Sequence, residues 1–349
     1  MNPAKAFAHL FSPLADEDAD NYRNPGQISF LRAPFVPIDS AELREVDAEY
    51  AFIGVPFDEG NVGKPGCEDG PREFRVASLD YFPYWFEFNV DLHGCAVDCG
   101  DVSMPRVNPA LARERIYEAV RTALEAGFNP IICGGDRSIS IPASRALSDH
   151  LGQDRRMGYL HLGAHLDFAD RWAGESHVST CAMARITELG NLDPDNVAHV
   201  GARNSFNPRD HVDLAKDRGV RFHPMLEVLE RGVDEVLDEV VARVWSGTDG
   251  QYLSFNYNVM DSSCAPGVTA TEPGGLEARE IMRVAARIAD AGGPTVIDVS
   301  ELCPMFDVSG STSRMAVCVV LRILAGVARH NGKTLDDSLR RPGWRHGQR

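Results

Sequence analysis

The amino-acid sequence predicts an α/β fold: a parallel sheet with helices on both faces. From about residue 48, short apolar runs alternate with loops and helical patterns. The strand candidates are continuous apolar runs rather than alternating ones, as strands buried on both faces require. Polar clusters follow the carboxyl ends of these runs: Asp58, Asp136-Arg137, His165 to Asp167, Asn256 to Asn258, and Glu301. Ligands of open parallel sheets bind at those ends.

Residues 1–45, polar and weakly periodic, read as an N-terminal arm, within which Gly26 to Arg32 is apolar enough to dock. Residues 46–349 read as a single domain, because neither a linker nor a shift in composition divides them. Ala51 to Val55 is a buried strand ending in Pro56-Phe57-Asp58. A glycine-rich loop, Gly60 to Gly70, leads into a helix with Pro71 in its first turn. Asn108 caps a helix that opens on Pro109, runs to Ala126 and stops at Gly127; Leu111, Ile116, Ala119, Val120, Ala123 and Leu124 form its apolar face. Pro130 to Cys133 is a strand, Gly134 to Ser138 its loop, and a helix opens near Pro142. Met157 to Leu162 and Asn196 to Val200 are strands. Leu226 to Trp245 reads as one long amphipathic helix with Leu229 and Val233 facing inward. A strand from Tyr252 to Phe255 and a helix from Leu276 to Ala291 follow, the helix carrying a Glu280–Arg283 surface pair. Thr295 to Val299 is the last strand and Thr312 to Ala328 the last helix.

A formal net charge of −16 repels nucleic acid and anionic membranes, so neither is expected as a partner. No apolar run reads as a membrane span of about 20 residues, and the first residues lack the apolar core of a signal peptide. The eight cysteines are scattered without a C-x-x-C pair, a pattern of reduced thiols rather than of a zinc framework. The expected location is the cytoplasm. Asn256 and Asn258, at spacing two, share one side of a strand. Two aspartates there would be half a metal site; two amides are not.

Together these loops resemble the ureohydrolase family, which includes arginase, agmatinase and guanidino-acid hydrolases. The resemblance rests on Gly54 to Asp58, Lys64-Pro65-Gly66, Gly70-Pro71-Arg72, Gly134-Gly135-Asp136, Ser138-Ile139 and Tyr252 to Gly275, in that order, and spans nearly the whole chain from Gly26. It implies a three-layer α/β/α sandwich with a mostly parallel eight-stranded sheet, in trimers or hexamers. In active members it also implies a pair of Mn²⁺ or Ni²⁺ ions, whose bridging hydroxide attacks a guanidinium carbon.

By that resemblance the six metal-site positions are Arg137, Gly163, His165, Asp167, Asn256 and Asn258. The family has a histidine at Arg137, bridging aspartates at Gly163 and Asn256, and a further aspartate at Asn258; only His165 and Asp167 are kept. The set is neutral without metal, since Arg137 balances Asp167. Amide oxygens are poor substitutes for carboxylates on a transition metal, and a guanidinium adds repulsion. The expectation is a metal-free centre with no catalytic residue, in which Arg137 pairs with Asp167 and bonds an amide oxygen of Asn256 or Asn258.

Glu301 falls at the family's guanidinium-binding carboxylate and His177 at a histidine of its substrate loop. Glu301 either still serves a guanidinium or salt-bridges Arg137; His177 is either a substrate-side remnant or a plain loop residue. His161, His199 and His223 read as packed or surface residues, although His161, His165 and Asp167 have a spacing that permits a one-metal site. The favoured function is the supporting subunit of a hetero-oligomeric guanidine or biguanide hydrolase. Its partner is then an active ureohydrolase paralogue carrying Ni or Mn, assembled with it as a hexamer, and this chain needs no cofactor. The alternatives are an active amidine hydrolase with altered ligands and a metal-free guanidino-compound binder using Glu301.

Overall fold

The computed structural model describes residues 28–335. The arm before residue 28 and the segment 336–349 lie outside the described residues. Eight strands form one sheet: β1 (Tyr50–Val55), β4 (Ala96–Asp101), β5 (Asn129–Gly134), β6 (Met157–Leu162), β7 (Val197–Val200), β8 (Arg221–His223), β9 (Gly250–Asn256) and β10 (Val296–Ser300). Their order is β4-β1-β5-β10-β9-β6-β7-β8, and every pairing is parallel. The remaining strands, β2 (Tyr84–Trp85) and β3 (Val90–Asp91), make a small antiparallel pair outside this sheet. The mostly parallel eight-stranded α/β architecture is therefore the one observed.

Parallel strands need crossovers, and helices supply them on both faces. They are α1 (Gly70–Ser78), α2 (Pro109–Glu125), α3 (Ser140–Leu151), α4 (Ala182–Ile186), α5 (Arg209–Asp217), α6 (Met225–Arg231), α7 (Val233–Val244), α8 (Ala278–Asp290) and α9 (Ser311–His330). Two hydrophobic cores result. One holds Val236, Val240, Val284, Ile288, Val320 and Leu324 beneath α7, α8 and α9. The other holds Ile116, Val120, Ala143 and Leu147 beneath α2 and α3.

The described part of the arm is docked. Phe30 is fully buried and stacks on Phe52 of β1 with centroids 4.8 Å apart; such a burial contributes about 2 kcal/mol. Its amide donates to Asp98 of β4 (2.7 Å), a carboxylate also held by Arg75 of α1 through Nε (2.8 Å) and Nη2 (3.0 Å).

The long helix expected over 226–245 is two. Gly232 has φ 89°, outside helical space, and separates α6 from α7. Leu229, expected inward, is 61% exposed on the short first piece. Glu280 does not pair with Arg283: it caps the amide of Glu277 (2.8 Å), while Arg283 pairs with Asp234 of α7. Leu111 is exposed rather than packed. The sequence reading missed β4, whose run Asp98 and Gly100 interrupt, and α4, β8 and α5, which are short or strongly polar. It also found no apolar run of membrane-spanning length, but α9 has 20 residues and a mean hydropathy of 1.5. Its apolar window is 67% buried, as suits a core helix packed on α8 and α1.

Candidate functional site at the carboxyl ends of the central strands

Strands β5, β10, β9 and β6 lie side by side in the middle of the sheet, so the loops after them meet. After β5 the chain turns sharply. A Cβ at Gly135 would stand 1.7 Å from the Phe57 carbonyl, so only glycine fits. Asp136 then closes the turn, accepting from the amides of Ser138 (2.8 Å) and Gly60 (2.9 Å). That turn aims Arg137 inward.

Arg137 is 0% exposed. Its Nη2 donates to the Tyr159 hydroxyl (3.1 Å), and its Nε lies 3.5 Å from Asp167 Oδ2. Nε and Nη1 have no hydrogen-bond partner among the described residues. Burial opposes the guanidinium charge, but Tyr159, Asp298 and Asp167 outweigh it and hold the group firmly protonated. Beneath it, Asp298 of β10 accepts from Ser140 (2.6 Å), Tyr252 (2.6 Å) and Ser254 (3.0 Å), and Tyr252 stacks on Tyr159 at 4.9 Å. This polar layer was missed by the sequence reading, although a carboxylate in mid-strand and tyrosines in two apolar runs are visible signals.

Gly163 has a physical reason to be glycine. The imidazole of His161 occupies the space its side chain would need: an added Cβ would lie 2.5 Å from His161 Nε2. His161 is fully buried, makes an edge contact with His199 at 4.8 Å, and lies 3.7 Å from Asp167. Burial, with Arg137 and His199, drives its pKa well down, so the ring is neutral.

The two asparagines do not serve Arg137. Asn256 Oδ1 caps the amide of Asn258 (3.0 Å) as β9 gives way to a 3₁₀ turn. Asn258 Oδ1 accepts from the Ala164 amide (2.8 Å), and its Nδ2 donates to Glu301 (3.0 Å). The expected bond from Arg137 to an amide oxygen is therefore replaced by one to Tyr159, since both amide oxygens satisfy backbone N–H groups. The Glu301–Arg137 salt bridge is likewise absent among the described residues; Glu301 accepts a hydrogen bond from Asn258 Nδ2 (3.0 Å).

His165 turns away from His161. Its Nδ1 faces Asn258 Nδ2 at 3.3 Å and its Nε2 lies 3.8 Å from Glu272. His161, His165 and Asp167 thus do not converge on one point, and no group of three or more His, Cys, Asp or Glu among the described residues is placed to hold a metal ion. His177 hydrogen-bonds to Ser176 (2.9 Å) and lines a separate cleft of about 710 Å³ beside α2 and α3, which neither Arg137 nor Glu301 lines. His199 and His223 are buried, as the packed reading expects.

Another unanticipated residue is Arg203, beyond β7. Its guanidinium donates to the carbonyls of Gly201, Asn258, Val259, Met260, Glu272 and Pro273. It therefore ties the loop after β9 to the end of β7. Arg203→Lys loses the planar fork and leaves several carbonyls unpaired. The expected cost is about 3 kcal/mol in urea unfolding, with faster amide exchange across 258–275.

The site also holds buried acids whose protonation the fold shifts. Burial, only partly offset by Arg137 and reinforced by Glu301, lifts the Asp167 carboxyl to about 8. Asp136 rises to about 7 for the same first reason. Burial lowers His199 to about 3. Raised acids favour the folded state below their folded pKa, and lowered histidines favour it above theirs. Between about pH 4 and 6.5 the two sets oppose each other; above 6.5 only the acids change. Stability should therefore fall by about 2 kcal/mol between pH 6.5 and 8.5. Urea midpoints across that range test this, and Asp167→Asn should flatten the decline.

A family model described as the arginase family matches residues 48–326. The chain belongs to the arginase family. Among its arginase-family relatives, guanidinopropionase of Pseudomonas aeruginosa is 31% identical over 90% of this chain and 96% of that protein. Guanidinobutyrase of the same organism is 30% identical over 92% and 99%. The solved structure of proclavaminate amidino hydrolase from Streptomyces clavuligerus aligns with a TM-score of 0.79 at 26% identity, covering 87% of this chain and 98% of that one. The metal pair of active ureohydrolases does not fit the residues of this member. A permanently charged guanidinium lies 3.5 Å from Asp167, an imidazole fills the volume beside Gly163, and both amide oxygens are already bonded.

Proposed function

We propose that this arginase-family chain is a metal-less supporting subunit of a hetero-oligomeric guanidine hydrolase, with catalysis in an active paralogous subunit that carries Ni or Mn. The proposed substrate of the assembly is a biguanide, dimethylbiguanide (metformin), and the proposed location is the cytoplasm. The observation that carries the reading is Arg137, buried and anchored by Tyr159 and Asp167, where the family resemblance implies a ligand histidine. A cation placed there opposes divalent metal electrostatically. Loss of the metals without loss of the sheet, the arm docking or the loop architecture is what a subunit retained for assembly requires.

The guanidino-binder reading is weakened by Glu301, whose carboxylate is already bonded by Asn258 and is 7% exposed. Purification of the tagged chain from its source cell tests the proposal. The expected result is co-purification with an intact-ligand ureohydrolase, and hydrolysis of dimethylbiguanide by the assembly but not by the lone chain. Recovery of homo-oligomer alone, or guanidine hydrolysis by the lone chain, would sink it.

A further inference from the structure

The loop that follows β1 lies directly against the segment that follows β10. Cys303 Sγ is 3.5 Å from the Pro65 carbonyl. A Cβ at Gly66 would stand 2.5 Å from that same sulfur, and one at Gly70 would stand 2.9 Å from the Leu302 carbonyl. Cys67, next to Gly66, therefore lies near Cys303. Both residues are buried and both are free thiols.

We propose that Cys67 and Cys303 form an oxidisable dithiol, a modification site at which a peroxide converts the pair to an intrachain disulfide. The chemistry is asymmetric. Cys67 holds the pKa of Cys303 down, while Cys303 and burial push that of Cys67 up. Cys303 is thus the attacking sulfur and Cys67 the resolving one. In the first step the Cys303 thiolate attacks one oxygen of hydrogen peroxide. The O–O bond breaks, Cys303 becomes a sulfenic acid, and the departing hydroxide takes a proton to give water. In the second step the Cys67 sulfur attacks the Cys303 sulfur, the S–OH bond breaks, and a second water leaves with the Cys67 proton. Two thiols are oxidised and one peroxide is reduced.

Access comes through a thin cover. Val62, Gly63, Lys64 and Pro65 are exposed, and Met305, whose sulfur would lie 2.8 Å from the same Gly66 Cβ, is 65% exposed. Local opening of such a loop exposes what it covers without global unfolding.

The test treats the full chain with hydrogen peroxide under native conditions, quenches it with an alkylating agent and maps it by mass spectrometry without reduction. The expected result is a peptide linking Cys67 to Cys303, loss of two of the eight thiols, and recovery of both on adding dithiothreitol. In Cys67→Ser, dimedone should label Cys303, and Cys303→Ser should give no linked peptide. The wild-type map decides alone if a variant fails to fold. Retention of both thiols while exposed cysteines oxidise, or linkage of either cysteine to a different one, would overturn the proposal.

Discussion

Replacing Arg137 with Met should destabilise the folded chain by about 3–5 kcal/mol at neutral pH, the cost of removing one partner from a buried charged cluster. Among the described residues, Arg137 is the cation whose charge Asp167, Asp298 and Glu301 each feel at the heart of the site. Without it, the Asp167 carboxyl, already raised to about 8, is pushed higher still, so the penalty should grow as pH rises past 8. Urea denaturation at two pH values measures both effects. A second arm separates the ion pair from packing: Arg137→Met combined with Asp167→Leu should cost less than the two single changes summed. A neutral Arg137→Met at pH 7 would mean that Arg137 does not anchor this layer.

Gly163→Asp, which restores a bridging carboxylate position, should be destabilising rather than reactivating. The new Cβ meets His161 Nε2 at 2.5 Å and Cε1 at 3.0 Å, and His161 is confined against His199. Overpacking of this kind costs about 1–3 kcal/mol, which Gly163→Ala measures by itself. The added carboxylate enters a buried cluster that already holds raised acids. The full substitution should therefore cost about 3 kcal/mol or more. Thermal unfolding of Gly163→Ala, Gly163→Asp and the His161→Ala/Gly163→Asp pair checks the order, with partial recovery in the pair. A Gly163→Ala chain as stable as the parent would place the His161 ring elsewhere.

Much of the architecture was legible because local signals agreed with one another. Pro109 after Asn108, Gly127 after the helix, and continuous apolar strands each pointed to the same α/β plan. The helix boundary at Gly232 was not legible, because the heptad-like run of Leu229, Val233 and Val236 continues across a glycine whose positive φ only the fold reveals. At the site, the residues that follow each strand were readable one by one. Their contacts were not. The sequence suggested that Arg137 would reach the nearest amide oxygens, but backbone N–H groups at Ala164 and Asn258 claim those first, since an unpaired buried amide is costly. Arg137 instead reaches Tyr159, from a strand read only as apolar. The one-metal alternative failed for a related reason: His165 turns towards Asn258 and Glu272, away from His161.

The proposed function requires that this arginase-family chain bind no metal pair. Elemental analysis of the chain, purified alone and dialysed after exposure to Mn²⁺ and Ni²⁺, tests it most directly. The prediction is less than about 0.1 ion per chain, given a buried cation and amides where carboxylates are needed. A stoichiometry of about two ions per chain, as a working dinuclear site requires, would contradict it.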